Sequence, residues 1–272
     1  MRTRAFATAV FVLAAGLAAS PASAQYQVPG LSDPATGETW HVEVSGNLWG
    51  PTPNVLISSE SLGIIGHEID FVTDLGIEKA TFRQLKVALR PARKHKFRFE
   101  FTPINYSAEA APSRRVVFNG VEFPITIPVQ TDVHWNAYRF GYEYDFVYRD
   151  RGFVGLLLEL KYTDIEASLQ NVIGTEFVRA RAPIPAIGGI GRVYVVPNIS
   201  ITGEFSAFKL PDSIDEEYRA SFYDFDLYGT VNFNDHVGAQ AGYRSLTVFY
   251  NIEEDAGDLK LKGLYFGGTL RF

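Results

Sequence analysis

The chain has no cysteine and one methionine in 272 residues. That count excludes disulfide-stapled scaffolds, thiolate metal sites and cysteine nucleophiles. Positive charge is short as well, since 25 Lys and Arg against 31 Asp and Glu give a formal charge of −6. A nucleic-acid partner is not expected, because phosphate binding needs a basic surface. Beyond residue 24 no run of about 18 apolar residues occurs, so a spanning helix is not expected. Helical i, i+3, i+4 stripes are nearly missing outside stretches such as 57–66. HExxH, Walker, dinucleotide-binding and EF-hand patterns are absent. Gly188-Gly189-Ile190-Gly191 is not followed by a helix pattern and reads as strand packing. Neither a cofactor nor a metal is expected.

What is present begins with an export signal. Residues 1–24 place Arg2 and Arg4 ahead of an apolar stretch from Ala5 to Ala19, then end on Ala22-Ser23-Ala24. That is the layout of a signal peptide cut after Ala24. Cleavage leaves 23 basic against 31 acidic residues over 25–272, which we read as one domain.

Alternation with period two dominates that domain, and it is the signature of strands. Leu264, Phe266, Gly268, Leu270 and Phe272 share one face, with Tyr265, Gly267, Thr269 and Arg271 on the other. Val154, Leu156, Leu158, Leu160 and Tyr162 alternate with Gly155, Glu159, Lys161 and Thr163. Tyr138, Phe140, Tyr142, Tyr144, Phe146 and Tyr148 make an aromatic face. The same test predicts about ten strands, at 39–49, 81–91, 95–108, 131–149, 152–168, 176–196, 198–210, 218–233, 236–251 and 259–272. Twelve is the alternative if 55–75 holds a further hairpin, and eight if a weak pair fails. Short turns at 93–94, 149–152, 197–198 and 234–235 alternate with longer links at 50–80, 109–130, 169–175, 211–217 and 252–258. Short turns on one rim and longer loops on the other characterise transmembrane barrels. Pro183 and Pro185 interrupt strand 176–196 and predict a bulge, or a start near Ala186. Asn119-Gly120, flanked by alternating apolar residues, predicts a hairpin standing above the barrel.

Strands of 13 residues or more exceed the usual five or six of soluble sheets and suit a tilted crossing. Trp40, Trp49, Trp135, Tyr148, Tyr162, Phe249 and Tyr250 fall near strand ends, where interfacial girdles belong. The opposite faces carry Glu43, Lys86, Arg90, Arg98, Glu100, Arg139, Glu143, Asp145, Glu159, Lys161, Arg192, Glu204, Asp224, Asp226 and Arg244. With the signal peptide, the alternating strands over 39–272 and the ending Gly263-Leu264-Tyr265-Phe266-Gly267-Gly268-Thr269-Leu270-Arg271-Phe272, the chain resembles the bacterial outer-membrane β-barrel families, in the broad sense that includes OmpA-type and OmpW-type small barrels. The resemblance implies an all-β, transmembrane, antiparallel up-and-down barrel in the outer membrane of a Gram-negative-type cell. It also implies that Phe266, Leu270 and Phe272 form the signal read by the barrel-assembly machinery. Asp132-Val133-His134 at a strand end is similar to the rim Asp and His of omptin-type barrel proteases, but the second acidic pair of that family is not recognisable here.

A ten-stranded lumen is narrow, and its charges are nearly balanced. Pairing removes most of the cost of holding them there. We therefore expect Arg98, Arg139, Arg192, Arg244 and Lys161 to form ion pairs with Glu100, Glu143, Asp145, Glu159, Asp224 and Asp226. Three functions follow in order of preference: a non-catalytic barrel with a structural or surface-interaction role, a small porin-like channel for ions or small solutes, and a rim-site enzyme. Outer-membrane lipid is the expected environment. For Arg114 and Arg115 a solvated surface is the first reading and contact with anionic head groups the second.

Overall fold

A computed structural model describes residues 35–59, 68–118, 121–172, 174–211, 219–252 and 255–272. The expected signal peptide at 1–24 and the expected turn at Asn119-Gly120 lie outside the described residues.

The elements are strands throughout: β1 (Val42–Ser59), β2 (Ile69–Asp70), β3 (Phe82–Ala92), β4 (His95–Ala110), β5 (Val116–Phe118), β6 (Val121–Phe123), β7 (Val129–Arg149), β8 (Gly152–Gln170), β9 (Thr175–Val196), β10 (Ile199–Lys209), β11 (Arg219–Asn232), β12 (Val237–Ile252) and β13 (Asp255–Arg271). Ten of them form a closed antiparallel barrel. The barrel closes where β13 pairs with β1 over Glu43↔Arg271 to Ser59↔Asp255. Closure removes the exposed sheet edges that an open sheet would carry. Glycine makes the seam possible, since a Cβ at Gly267 or Gly263 would collide with the carbonyl of Gly46 or Gly50 on β1.

One rim carries the short turns and is called the turn rim. The opposite rim carries β2 and the β5–β6 hairpin and is called the lid rim. The strand count and most boundaries follow the alternation, with one large difference. The strand expected at 39–49 continues to Ser59, through Pro51 and Pro53. The expected bulge at Pro183 and Pro185 is also absent, because β8 and β9 pair without a register shift from Gly152↔Val193 to Gln170↔Thr175.

The reason is the same at both places. Strand β10 pairs with β9 only from Ile187 toward the turn rim, and β3 pairs with β1 only as far as Trp49↔Phe82. The two short strands leave their neighbours with open edges toward the lid rim. Pro51 and Pro53 lie on one such edge, Pro183 and Pro185 on another, and Pro103 just beyond the last β3–β4 pair, Leu85↔Phe101. A residue without an N–H costs a ladder little where pairing with the neighbouring strand has ended, and it discourages stray pairing.

Polarity inverts along the strands. On β8 the outward residues run Val154, Leu156, Leu158, Leu160 and Tyr162, then change to Asp164, Glu166, Ser168 and Gln170. The inward residues change in the opposite sense at the same height, from Glu159, Lys161 and Thr163 to Ile165, Ala167 and Leu169. Strand β13 repeats this, with Leu264 and Phe266 outward below Lys262 and Lys260, and Leu261 and Leu259 inward above Tyr265. The half near the turn rim is apolar outside and charged inside, as a wall surrounded by lipid must be. The half near the lid rim is apolar inside and polar outside, like a soluble protein. At about 3.4 Å per residue and a tilt near 40°, Val154 to Tyr162 rises roughly 21 Å, close to the apolar band of a membrane barrel.

That inversion moves several aromatics from their expected places. Trp40, Trp49 and Trp135 are interior residues and do not belong to a girdle. Tyr148 leaves the outer aromatic face, because a register shift between Tyr144 and Val147 turns it over. It stacks on Phe153 at 6.3 Å. Tyr162 and Phe249 do face outward.

Candidate functional site

The interior is filled in three layers. At the turn rim, residues 35–41 fold across the mouth. The carboxylate of Glu38 accepts hydrogen bonds from Arg192 Nη1 (2.9 Å) and the Tyr194 hydroxyl (2.7 Å). The Glu38 carbonyl accepts from Arg90, whose guanidinium also reaches the Tyr148 hydroxyl at 2.7 Å and lies 5.5 Å from the Trp40 ring. Thr36 N–H donates to the Pro197 carbonyl and Gly37 N–H to Asp235 Oδ1. Burial pushes the Glu38 carboxyl up, but the Arg192 charge and the Tyr194 hydrogen bond outweigh it and hold the group below its ordinary range.

Above this mouth lies a continuous ionic layer. Lys96 Nζ contacts Glu143 (2.5 Å) and Asp145 (2.9 Å), and Arg98 joins Glu143 (3.2 Å) to Glu204 (2.6 Å). Arg139 is the hub, with carboxylate oxygens of Glu204 at 3.0 Å, Glu100 at 3.3 Å, Glu159 at 3.4 Å and Asp224 at 3.5 Å. Arg244 links Glu100 to Asp224, and Lys161 closes the circuit on Asp224 at 2.7 Å. Asp226 stands beside this circuit, accepting from Lys86 Nζ and the Tyr265 hydroxyl, each at 2.8 Å. Alternation explains the convergence, because each of these side chains sits at an inward position of its strand. Spaces remaining among them measure about 40 Å³ and 20 Å³, room for isolated waters rather than a continuous file.

The third layer is apolar. Trp49 sits on the boundary, its ring 5.6 Å from the Arg244 guanidinium and its Nε1 donating to the Gly263 carbonyl at 3.2 Å. Beyond it Ile57, Ile104, Trp135, Ile165, Leu246 and Leu259 line the barrel and pack on Phe71, Leu75, Phe118 and Phe123 from the covering loops. The β5–β6 hairpin is therefore a lid that buries Val116, Phe118 and Phe123, and it does not stand free as expected. Arg114 fastens it. Its guanidinium donates to Asp74 at 2.8–3.1 Å, with the Ser113 hydroxyl on the same carboxylate at 2.8 Å. Arg115 pairs with Glu122 at 3.0 Å, so both arginines are engaged within the lid or with the loop it covers.

A closed antiparallel barrel with an apolar outer band and a charged interior has few counterparts. The fold is that of a bacterial outer-membrane β-barrel. Comparison with solved structures agrees: the outer-membrane protease OmpT of Escherichia coli superposes with a TM-score of 0.56 at 8% identity, covering 89% of this chain and all (100%) of OmpT. Ail of Yersinia pestis matches with a TM-score of 0.37 at 11% identity, covering 85% of this chain and 99% of Ail. A FadL homologue of Pseudomonas aeruginosa matches with a TM-score of 0.37 at 8% identity, covering 85% of this chain and 90% of its own. No protein-family profile matches the chain, and no curated protein matches it by sequence.

Ten of the eleven charged residues singled out from sequence lie in the middle layer: Arg98, Glu100, Arg139, Glu143, Asp145, Glu159, Lys161, Asp224, Asp226 and Arg244. Arg192 lies instead in the mouth cluster, bonded to Glu38 and Thr202. Sequence reading missed Lys96, which alternation from Arg98 and Glu100 identifies as inward, and Glu38, which precedes any strand. Asp132 and His134 lie on the outer face of β7, where His134 Nδ1 meets Asn105 Oδ1 at 2.9 Å and Asp132 takes a 3.3 Å contact from Gln130. Phe266, Leu270 and Phe272 project outward beside the seam.

Proposed function

We propose that the protein is a non-conducting, non-catalytic barrel of the bacterial outer membrane, exported by residues 1–24, that acts through its outward surfaces and not through its lumen. The observation that carries this reading is the apolar third layer and its clamped lid, stacked above an ion-paired layer whose spaces hold only isolated waters. A permeating ion would have to displace both. Proteolysis is the activity in OmpT's name, and we do not transfer it, because Asp132 and His134 face away from the lumen with separate partners. By the usual orientation of such barrels the turn rim faces the periplasm and the lid rim the outside. Recognition of Phe266, Leu270 and Phe272 by the assembly machinery belongs to the same proposal.

Planar-bilayer recording of the folded protein tests it, with folding verified by the mobility difference between boiled and unboiled gel samples. A silent bilayer is the expected result. Discrete conductance steps from a heat-modifiable sample would overturn the closed-lumen reading and favour the small-solute channel.

A further inference from the structure

The outer wall has cations at the height where its polarity inverts, and they fall into two kinds. On β8 and β9 they are neutralised, with Arg179 and Arg181 bonded to Asp164 at 2.7 and 3.2 Å. On β13, Lys260 is bound by Asp258 at 2.6 Å. Around Gly50 they are not. The side chains of Lys79, Arg83 and Lys262 make no hydrogen bond or ion pair among the described residues, and all three residues are exposed.

The register places Arg83 and Lys262 on either side of Gly50. Arg83 is opposite Leu48 on β1, and Lys262 is opposite Thr52 from the other side. Both are outward residues, so each stands diagonal to Gly50, where Cα atoms are about 7–8 Å apart. Gly50 has no side chain, and the third cation uses that space. The Lys79 Cε lies 3.8 Å, and the Thr81 hydroxyl 3.7 Å, from where a Gly50 Cβ would be. Leu264 lies outward directly opposite Gly50, and the Leu48–Phe266 pair lies outward below it. Three unpaired cations and a hydroxyl therefore surround a notch directly over an apolar wall.

We propose that this notch binds the phosphate of a phosphorylated glycolipid in the outer leaflet, with Lys79, Arg83 and Lys262 on the phosphate and the acyl chains against Leu264 and Phe266. The chemistry selects this ligand. A phosphate dianion satisfies several cations at once through charge-assisted bonds, while the apolar wall below requires that the anion carry hydrocarbon. Free phosphate would use only the upper half of the site. The inference rests on the membrane placement proposed above and goes beyond it, since a closed barrel needs no lipid site.

Native mass spectrometry of the detergent-purified protein tests it, with diphosphoryl lipid A, fully dephosphorylated lipid A and phosphatidylglycerol as probes. Diphosphoryl lipid A is expected to be retained at least about tenfold more tightly than either of the others. The K79Q/R83Q/K262Q variant is expected to lose that preference, while R179Q/R181Q keeps it. Equal retention of phosphorylated and dephosphorylated lipid, equal retention of phosphatidylglycerol, or equal loss in both variants would overturn the site. The heat-modifiable gel band is read on every sample. A variant without the band is replaced by single substitutions at Lys79 and Lys262, and a wild type without it would count against the membrane barrel instead of the notch.

Discussion

Leu160 and Ile165 are five residues apart on β8, yet Leu160 is 47% exposed on the outer wall and Ile165 is 7% exposed in the interior. Between them the strand changes solvent, from lipid outside and charge inside to water outside and hydrocarbon inside. One strand thus serves a membrane barrel and, continued upward, the wall of an apolar core.

This inversion predicts how the outer wall tolerates charge. Leu158→Arg, in the middle of the apolar band, is expected to cost about 2–4 kcal/mol, and Ser168→Arg, above it, about 0–1 kcal/mol. Urea unfolding in lipid vesicles measures both. Equal costs would mean that the wall above Tyr162 also lies in lipid.

Arg139 touches four carboxylates, and removing it leaves them facing one another in a dry interior. Arg139→Met is expected to destabilise the barrel by about 3–5 kcal/mol in the same assay. A change below about 1 kcal/mol would show that the ionic layer is hydrated enough to absorb the loss.

The lid should loosen in acid. Burial pushes the Asp74 carboxyl up, and hydrogen bonds from Arg114 and Ser113 more than reverse this, holding it below the ordinary carboxylate range. A depressed value means that the clamp is at full strength above the unfolded carboxyl value of about 3.9 and is lost as pH falls through the lower folded one. Hydrogen exchange at β5 and β6 is therefore expected to quicken below about pH 4 in the wild type, and at neutral pH in Asp74→Asn. Exchange indifferent to both would show that the buried Phe118 and Phe123 hold the lid unaided.

Deleting Phe272 is expected to slow insertion into vesicles that contain the assembly machinery, while leaving unassisted folding into detergent unchanged. Parallel slowing in both would assign the residue to barrel stability and not to recognition.

The membrane half of the fold was legible because lipid makes a local demand. Every second residue must be apolar, so the wall can be read strand by strand, as at Leu156, Leu158 and Leu160. The prolines misled for an equally physical reason. Pro183 and Pro185 are unfavourable in a strand with two neighbours, and only the three-dimensional arrangement reveals that β9 and β10 no longer pair beside them. Trp49 and Trp135 read from sequence as interface residues, because position near a strand end does not distinguish outside from inside once polarity inverts.

The chain's composition and alternation by themselves determined an all-β barrel of about ten strands with charges facing inward, since period-two burial is a property of each strand alone. Which carboxylate meets which arginine, that Arg192 belongs to the mouth with Glu38, that the hairpin folds down as a lid, and that Lys79, Arg83 and Lys262 flank Gly50 were decided by the tertiary structure. These are contacts between strands distant in sequence, set by register and closure, and nothing in the local pattern of one strand encodes the height of the next.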